Sequence, residues 1–357
     1  MKKLILILGL IFLVGCQQTT GLPEQGQNQE LPDDPQENYQ QDAKPEEPEE
    51  PEEPEEPEEE LDFQAVRPNE AGQVMVLMYH EIGGTESTWR RTTENFRQDL
   101  KTLYDKGYRP VNLNDYLAGH IDIPAGTTPF ILTFDDGTAG QFRFLEDGDQ
   151  PILDPDSAVA IILEMAEKYD DFNPAGTFYI YYPVPFRQQA HIQTKLEMLV
   201  EWGFEIGNHT YGHENLRNIS PQEVTEALAR HVRATQSYLP GYEVNTLALP
   251  YGALPEDESL LTEGTWEDTT YKNDAILLVG ANPAPSPFSE KFNPLRLPRV
   301  RADGTELPRW LEYFENNPQA RYISDGNPDK VTVPLHLKEN INEKSLGDRA
   351  IRTYQPD

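Results

Sequence analysis

Two short runs of this sequence hold side chains of the kind that bind metals and move protons. The first is Thr133-Phe134-Asp135-Asp136-Gly137, where two adjacent carboxylates stand at the point an apolar stretch runs out into glycine. Neighbouring residues at a strand end cannot point the same way. The two aspartates are therefore expected to have different partners, one a metal ion and the other a proton in transit. The second run is His209-Thr210-Tyr211-Gly212-His213. Histidines four apart lie on one face of a helical turn with about 5–6 Å between Cβ atoms, which suits joint coordination of one ion. An Asp-Gly turn is common on its own, and so is a chance histidine pair. Two such runs at equivalent places in a sheet are far less so.

The elements that must position them alternate along the chain. Phe130–Phe134 and Phe204–Gly207 read as strands leading directly into the two runs, and Val74–Tyr79, Gly176–Tyr181, Leu247–Pro250 and Ala275–Val279 read as further strands. Between them lie amphipathic helices. One spans Thr93 to Lys106 with Phe96, Leu100 and Leu103 inward, and is stopped by Gly107. Others cover Ser157–Tyr169 and Gln189–Trp202, and Ser220-Pro221-Gln222-Glu223 opens another with a capping box. Strand and helix in alternation predict a parallel α/β sheet, doubly wound or closed as a barrel. Side chains at its carboxyl ends would converge. Leu145–Pro155 breaks the rhythm and reads as an inserted loop over one end of the sheet.

At these residues the sequence resembles the polysaccharide deacetylases, carbohydrate esterase family 4, whose members share a Thr-Phe-Asp-Asp-Gly block and a His-Ser/Thr-x-x-His block. The resemblance runs from Val74 to about Arg301. It implies an irregular (β/α) barrel with Zn2+ as cofactor, Co2+ or Ni2+ being alternatives. Carried over, it makes Asp136, His209 and His213 the metal triad and Asp135 the catalytic base. Pro250-Tyr251-Gly252 keeps part of a third block and gives the Tyr251 backbone N–H a place in the oxyanion site. Ala248 stands where many members carry an arginine that contacts the base.

A branch similar to the poly-N-acetylglucosamine deacetylases, whose barrel is circularly permuted, also lacks that arginine. Its first strand matches Leu77-Met78-Tyr79-His80, which makes His80 the acid for the leaving group. His336, in Val333-Pro334-Leu335-His336, is the rival, because the unpermuted family carries its acid on a late strand. The branch also has a Leu-Pro-Arg stretch, here Leu297-Pro298-Arg299, and Arg299 is expected to orient Asp135 in place of the missing arginine. The implied reaction is removal of N-acetyl groups from poly-N-acetylglucosamine, a chitin-like polymer or peptidoglycan glycan. A glycan-binding surface lipoprotein of the same fold with weak or no turnover is the alternative. A metal-capturing lipoprotein fits less well, since the acidic spacer contains no histidine. Trp89, Tyr181, Tyr182, Trp266 and Trp310 are candidates for stacking on sugar rings, and His120, His191 and His231, at surface or helix positions, receive no role.

The amino terminus has a separate logic. Lys2 and Lys3 precede an apolar run, Leu4–Val14, of signal-peptide length and too short to span a bilayer. Leu13-Val14-Gly15-Cys16 resembles a lipobox, so the single cysteine of the chain is expected to be acylated and to hold the protein on a membrane. No thiol remains after it, which excludes disulfides and cysteine ligands. Gly21–Glu60 holds 17 Asp/Glu, eight Pro and one Lys, and cannot bury enough apolar area to order itself. An extended chain of this kind reaches on the order of 100 Å at about 3.1 Å per residue. The expected organisation is a signal at residues 1–15, a disordered acidic linker at 16–60 and a deacetylase domain at 61–357. Its core covers about 74–301, and the extension 302–357 carries no readable motif. The net charge of -33 leaves no basic face for nucleic acid. The chain is thus expected to be a lipid-anchored, extracytoplasmic monomer acting on an N-acetylated polysaccharide.

Overall fold

The computed structural model describes residues 61–147 and 150–357. The signal, Cys16 and the acidic linker lie outside the described residues, among which no helix is long and apolar enough to cross a membrane. A short turn, α1 (Phe63–Val66), leads to β1 (Met75–Tyr79), buried along its whole length. The small pair β2 (Glu81–Ile82) and β3 (Arg90–Arg91) follows, then α2 (Thr93–Asp105), whose first turn is capped by Thr92. β4 (Tyr108–Pro110), α3 (Leu113–Ala118) and β5 (Thr128–Asp135) come next.

After β5 the chain makes β6 (Phe144–Asp147) and β7 (Gln150–Leu153), then α4 (Ala158–Lys168), β8 (Thr177–Ile180), α5 (Ile192–Glu201) and β9 (Glu205–Asn208). Helix α6 (Pro221–Tyr238) opens with the expected capping box between Ser220 and Glu223. Strands β10 (Thr246–Ala248), β11 (Glu263–Trp266), β12 (Thr269–Lys272), β13 (Ala275–Leu277) and β14 (Val300–Arg301) lead to α7 (Glu306–Asn316), β15 (Lys330–Pro334) and β16 (Ala350–Tyr354).

Seven strands form one curled parallel sheet in the order β13-β10-β9-β8-β5-β1-β14, with β4 paired to the first residues of β5. Its two edges nearly meet. Leu297 bridges Leu277 of β13, and three residues later Val300 pairs with Leu77 of β1. The curl works because β5 serves two layers. Phe130, Leu132 and Phe134 join an apolar cluster with Phe96, Leu100 and Leu103 of α2, while Ile131 joins Val76, Tyr179 and Leu277 in a second cluster. This alternation turns Asp135, two residues after Thr133, toward the same side as Ile131. Every strand runs the same way, so Tyr79, Asp135, Ile180, Asn208 and Ala248 end at one rim.

One sequence expectation is corrected here. Leu145–Pro155 is no loop over the sheet: β6 and β7 form an antiparallel hairpin in which Leu145 faces Ile152. Two residues, Gly148-Asp149, separate them in sequence, a recognised hairpin signal, which the Asp, Gly and Pro content of the segment conceals. The tail after Arg301 is also built into the fold. Leu307, Leu311 and Phe314 of α7 pack on the α2 side, and Val331 and Val333 of β15 join the second cluster.

Candidate active site

At that rim the histidine run and Asp136 close on one another. The Nε2 atoms of His209 and His213 lie 3.4 and 3.1 Å from Asp136 Oδ1. One donor atom from each of the three residues falls within 4.8 Å of the others. Bonds of about 2.0–2.1 Å to a tetrahedral ion place ligand atoms about 3.3 Å apart, so the donor set fits a small divalent cation. Hydrogen bonding also presets the histidines. His209 Nδ1 lies 2.8 Å from the Ala248 carbonyl and must donate to it, which leaves the Nε2 lone pair facing Asp136. His213 Nδ1 is 3.0 Å from the Tyr251 hydroxyl.

The histidine run is not the helical turn its spacing suggested. Thr210 and His213 both take positive φ, and side chains hold the turn: Asn208 Oδ1 accepts from Thr210 N, and Thr210 Oγ1 accepts from Glu214 N. Short polar side chains that bond nearby backbone compete with helix formation. The i, i+4 spacing converges all the same, through the turn.

Asp135 takes a partner of its own beside the triad. It is fully buried, and Arg299, equally buried, donates from Nη1 to Oδ1 at 2.7 Å and from Nη2 to Oδ2 at 2.8 Å. Burial alone would raise this carboxyl; the Arg299 charge, with smaller help from His209 and His80, outweighs it and holds Asp135 below the usual range. Arg299 is fixed in turn by the Thr133 hydroxyl and the Leu278 carbonyl. For Asp136, burial is likewise opposed, here by the adjoining His209 and His213 rings, and its carboxyl lies below the usual range. His80 Nε2 stands 3.9 Å from Asp135 Oδ2, and its ring packs on Trp89 with centroids 4.8 Å apart. Desolvation lowers the His80 pKa, against the pull of Asp135 and Asp136.

His80, Asp135, Asp136, His209 and His213 line one cavity of about 580 Å³, shared with Trp89, Tyr181, Arg187, Leu249, Tyr251 and Val279, while Arg299 lies behind Asp135. The family model described as Polysaccharide deacetylase matches residues 123–263, which hold Asp135, Asp136, His209, His213 and Tyr251. Over that stretch, less than half of the chain, the sequence is similar to the polysaccharide deacetylase family. A polysaccharide deacetylase from Bacillus cereus is 20% identical, with 67% of this chain and 68% of that one covered and a TM-score of 0.50, a likeness of fold. A Streptococcus pyogenes deacetylase, PplD, is 16% identical over 67% of this chain and 97% of its own, with a TM-score of 0.49. IcaB from Ammonifex degensii is 19% identical over 68% and 97%, with a TM-score of 0.48. No curated protein matches the chain.

The matched residues leave out β1, which leads to His80 at the cavity, and β14, which follows Arg299 behind Asp135. His336, the rival acid, is exposed in the turn after β15 and does not line the cavity. Among the aromatic candidates only Trp89 and Tyr181 do. Tyr182 is buried against Thr235, Trp266 stacks under Arg233 on the β11–β12 hairpin, and Trp310 donates to the Ala281 carbonyl.

Two residues gain places that the sequence did not suggest. Arg187, the only Arg or Lys lining the cavity among the described residues, lies over the Tyr181 ring and donates to the Asp136 carbonyl. His231 is completely buried on α6, where Nε2 donates to the same Ile180 carbonyl that accepts from His209 N. Burial lowers its pKa to about 3 and keeps it neutral. Its place in the inward row Val224, Leu228, His231, Val232, Thr235 was the available signal.

Proposed function

We propose that this chain hydrolyses the N-acetyl groups of an extracytoplasmic polysaccharide, using a divalent ion, zinc by its donor set, held by Asp136, His209 and His213. The observation that carries this reading is the division of labour between two adjacent carboxylates. Asp136 meets the histidines while Asp135, on the wall of the same cavity, is held from behind by Arg299. An ion bound there supplies Lewis acidity, which activates water and polarises the acetyl carbonyl.

The remaining chemistry belongs to the chain's own side chains. Asp135, ionised by Arg299, takes the proton as water attacks the amide; its two oxygens keep lone pairs beyond those Arg299 occupies. The backbone N–H of Tyr251 meets the oxyanion. His80 donates to the departing amine. Its lowered pKa makes it a readier donor at the cost of a smaller protonated fraction near neutral pH. The products are acetate and a free amino sugar. The argument for a glycan binder without turnover rests on Ala248 replacing an arginine, and the paired contact of Arg299 with Asp135 weakens it.

Poly-N-acetylglucosamine, chitin-like oligomers and peptidoglycan glycan all carry the required group, and the anchor and linker favour a wall or capsule polymer. Acylation at Cys16 belongs to the same proposal; labelled fatty acid should enter the wild-type chain and not Cys16→Ala. The activity is tested by acetate release from a panel of these glycans, with acetylated xylan as the O-acetyl comparison. Metal-loaded protein should release acetate from at least one N-acetylated polymer and stop on chelation. Silence on the whole panel after loading with zinc, cobalt or nickel would sink the reading.

A further inference from the structure

We infer that Gln141 is the positioning residue that holds His80 at the right distance from Asp135, an inference that rests on the acid and base roles proposed above. Asp135 is fixed through its side chain, by two bonds from Arg299. His80 is not. Among the described residues no hydrogen bond fixes its ring, which meets Asp135 only at 3.9 Å and leans on Trp89. Its place therefore depends on where the backbone leaves it at the end of β1.

That backbone is held by one side chain. Gln141 is completely buried, and its Nε2 donates to the His80 carbonyl at 2.6 Å and to the Asp135 carbonyl at 2.5 Å. A single amide thus ties the last turn of β1 to that of β5 at the two residues that handle protons. The amide orientation is settled by its partners. Reversed, it would set Oε1 against two carbonyl oxygens. As it stands, Oε1 is buried without a partner, an unfavourable arrangement that the two donated bonds must outweigh.

The clamp has a rigid base. Gln141 N donates to the Thr138 carbonyl, and its own carbonyl accepts from Val159 N at the start of α4. One residue earlier, a Cβ on Gly140 would lie 1.8 Å from the Ile82 carbonyl oxygen, so this turn is pressed directly on the strand that follows His80. On the other side of β1 the ladder to β14 pairs Leu77 and Met78, and Ala302 N donates to the Met78 carbonyl, two residues short of His80.

The variant to make is Gln141→Met, close in volume and without donors, in the full metal-loaded chain. Two substrates separate positioning from general damage. An N-acetylglucosamine oligomer has an amine leaving group that needs a proton, whereas an aryl acetate leaves as a phenolate that does not. Gln141→Met should lower kcat on the oligomer by about 10- to 100-fold, the scale of a misplaced catalytic group. KM should stay within about twofold, metal content should be unchanged, and aryl acetate hydrolysis should be near wild type. Combined with His80→Ala, it should cost nothing further on the oligomer. Equal losses on both substrates, additive losses in the double variant, or an unchanged oligomer rate would each overturn the inference. If Gln141→Met does not fold, Gln141→Glu, the same shape with one donor when protonated, takes its place under the same criteria. A wild-type rate in His80→Ala alone would be seen separately; it would remove the acid assignment, and this inference with it.

Discussion

Asp135 is almost wholly buried, touching solvent only at the cavity wall, and still carries a charge because a guanidinium with no exposure of its own meets both its oxygens. A buried carboxylate without that partner would take up a proton or destabilise the fold. Arg299→Met should therefore lower stability by about 3–5 kcal/mol, the usual cost of removing one member of a buried pair, measured by denaturant unfolding; a loss under about 1 kcal/mol would show that Asp135 simply protonates. Arg299→Lys keeps the charge and gives up the fork. Its kcat should fall with metal content unchanged, and an undiminished kcat would contradict the orienting role. His80→Ala should slow turnover by about 10²–10⁴-fold, and a rate near wild type would take His80 out of the reaction. The opposed directions of Asp135 and Asp136 were legible in the sequence, since strand neighbours must diverge. Gln141 was not, because a glutamine in a turn carries no mark of the two carbonyls it will reach.

The strands act as a fixture whose two edges approach at the seam between β13 and β14. Gly280 lies there against Arg299: an added Cβ would come within 1.8 Å of the Arg299 carbonyl oxygen, with backbone atoms on both sides unable to yield. Gly280→Ala should cost about 1–3 kcal/mol, the range for overpacking, and should reduce acetate release by shifting Arg299 from Asp135. Thermal unfolding and kinetics on the same sample check both, and a fully active, equally stable variant would mean the seam is loose. The main strands and helices were readable from period and caps because each has its own local pattern, as in the inward row of α2 or the Ser220–Glu223 box. The turn at His209–His213 and the β6–β7 hairpin were not. Side-chain bonds from Asn208 and Thr210 shape the one, and a cross-strand pairing that residue composition conceals shapes the other.

At the scale of the whole domain, the tail is attached by a buried acid. Glu70 accepts hydrogen bonds from Thr332 N, Asp325 N and the Tyr322 hydroxyl, yet burial, and then the neighbouring Asp325, raises its pKa to about 8. The folded state thus binds a proton that the unfolded chain releases near pH 4.5. Its contribution is fully present below that pH and is lost as pH rises toward 8. Unfolding free energy should decline over that interval, and Glu70→Gln should flatten the decline; an unaltered slope would show the carboxyl is ionised throughout. This attachment was invisible in the sequence, where Glu70 and Thr332 are far apart and neither sits in a motif. The metal and base assignments remain the centre of the account, and two amide variants test them together. Asp135→Asn should bind its metal in full and release almost no acetate, while Asp136→Asn should lose both metal and activity. An Asp135→Asn protein that turns over at the wild-type rate, or loses its metal as Asp136→Asn does, would contradict the division of work between the two carboxylates.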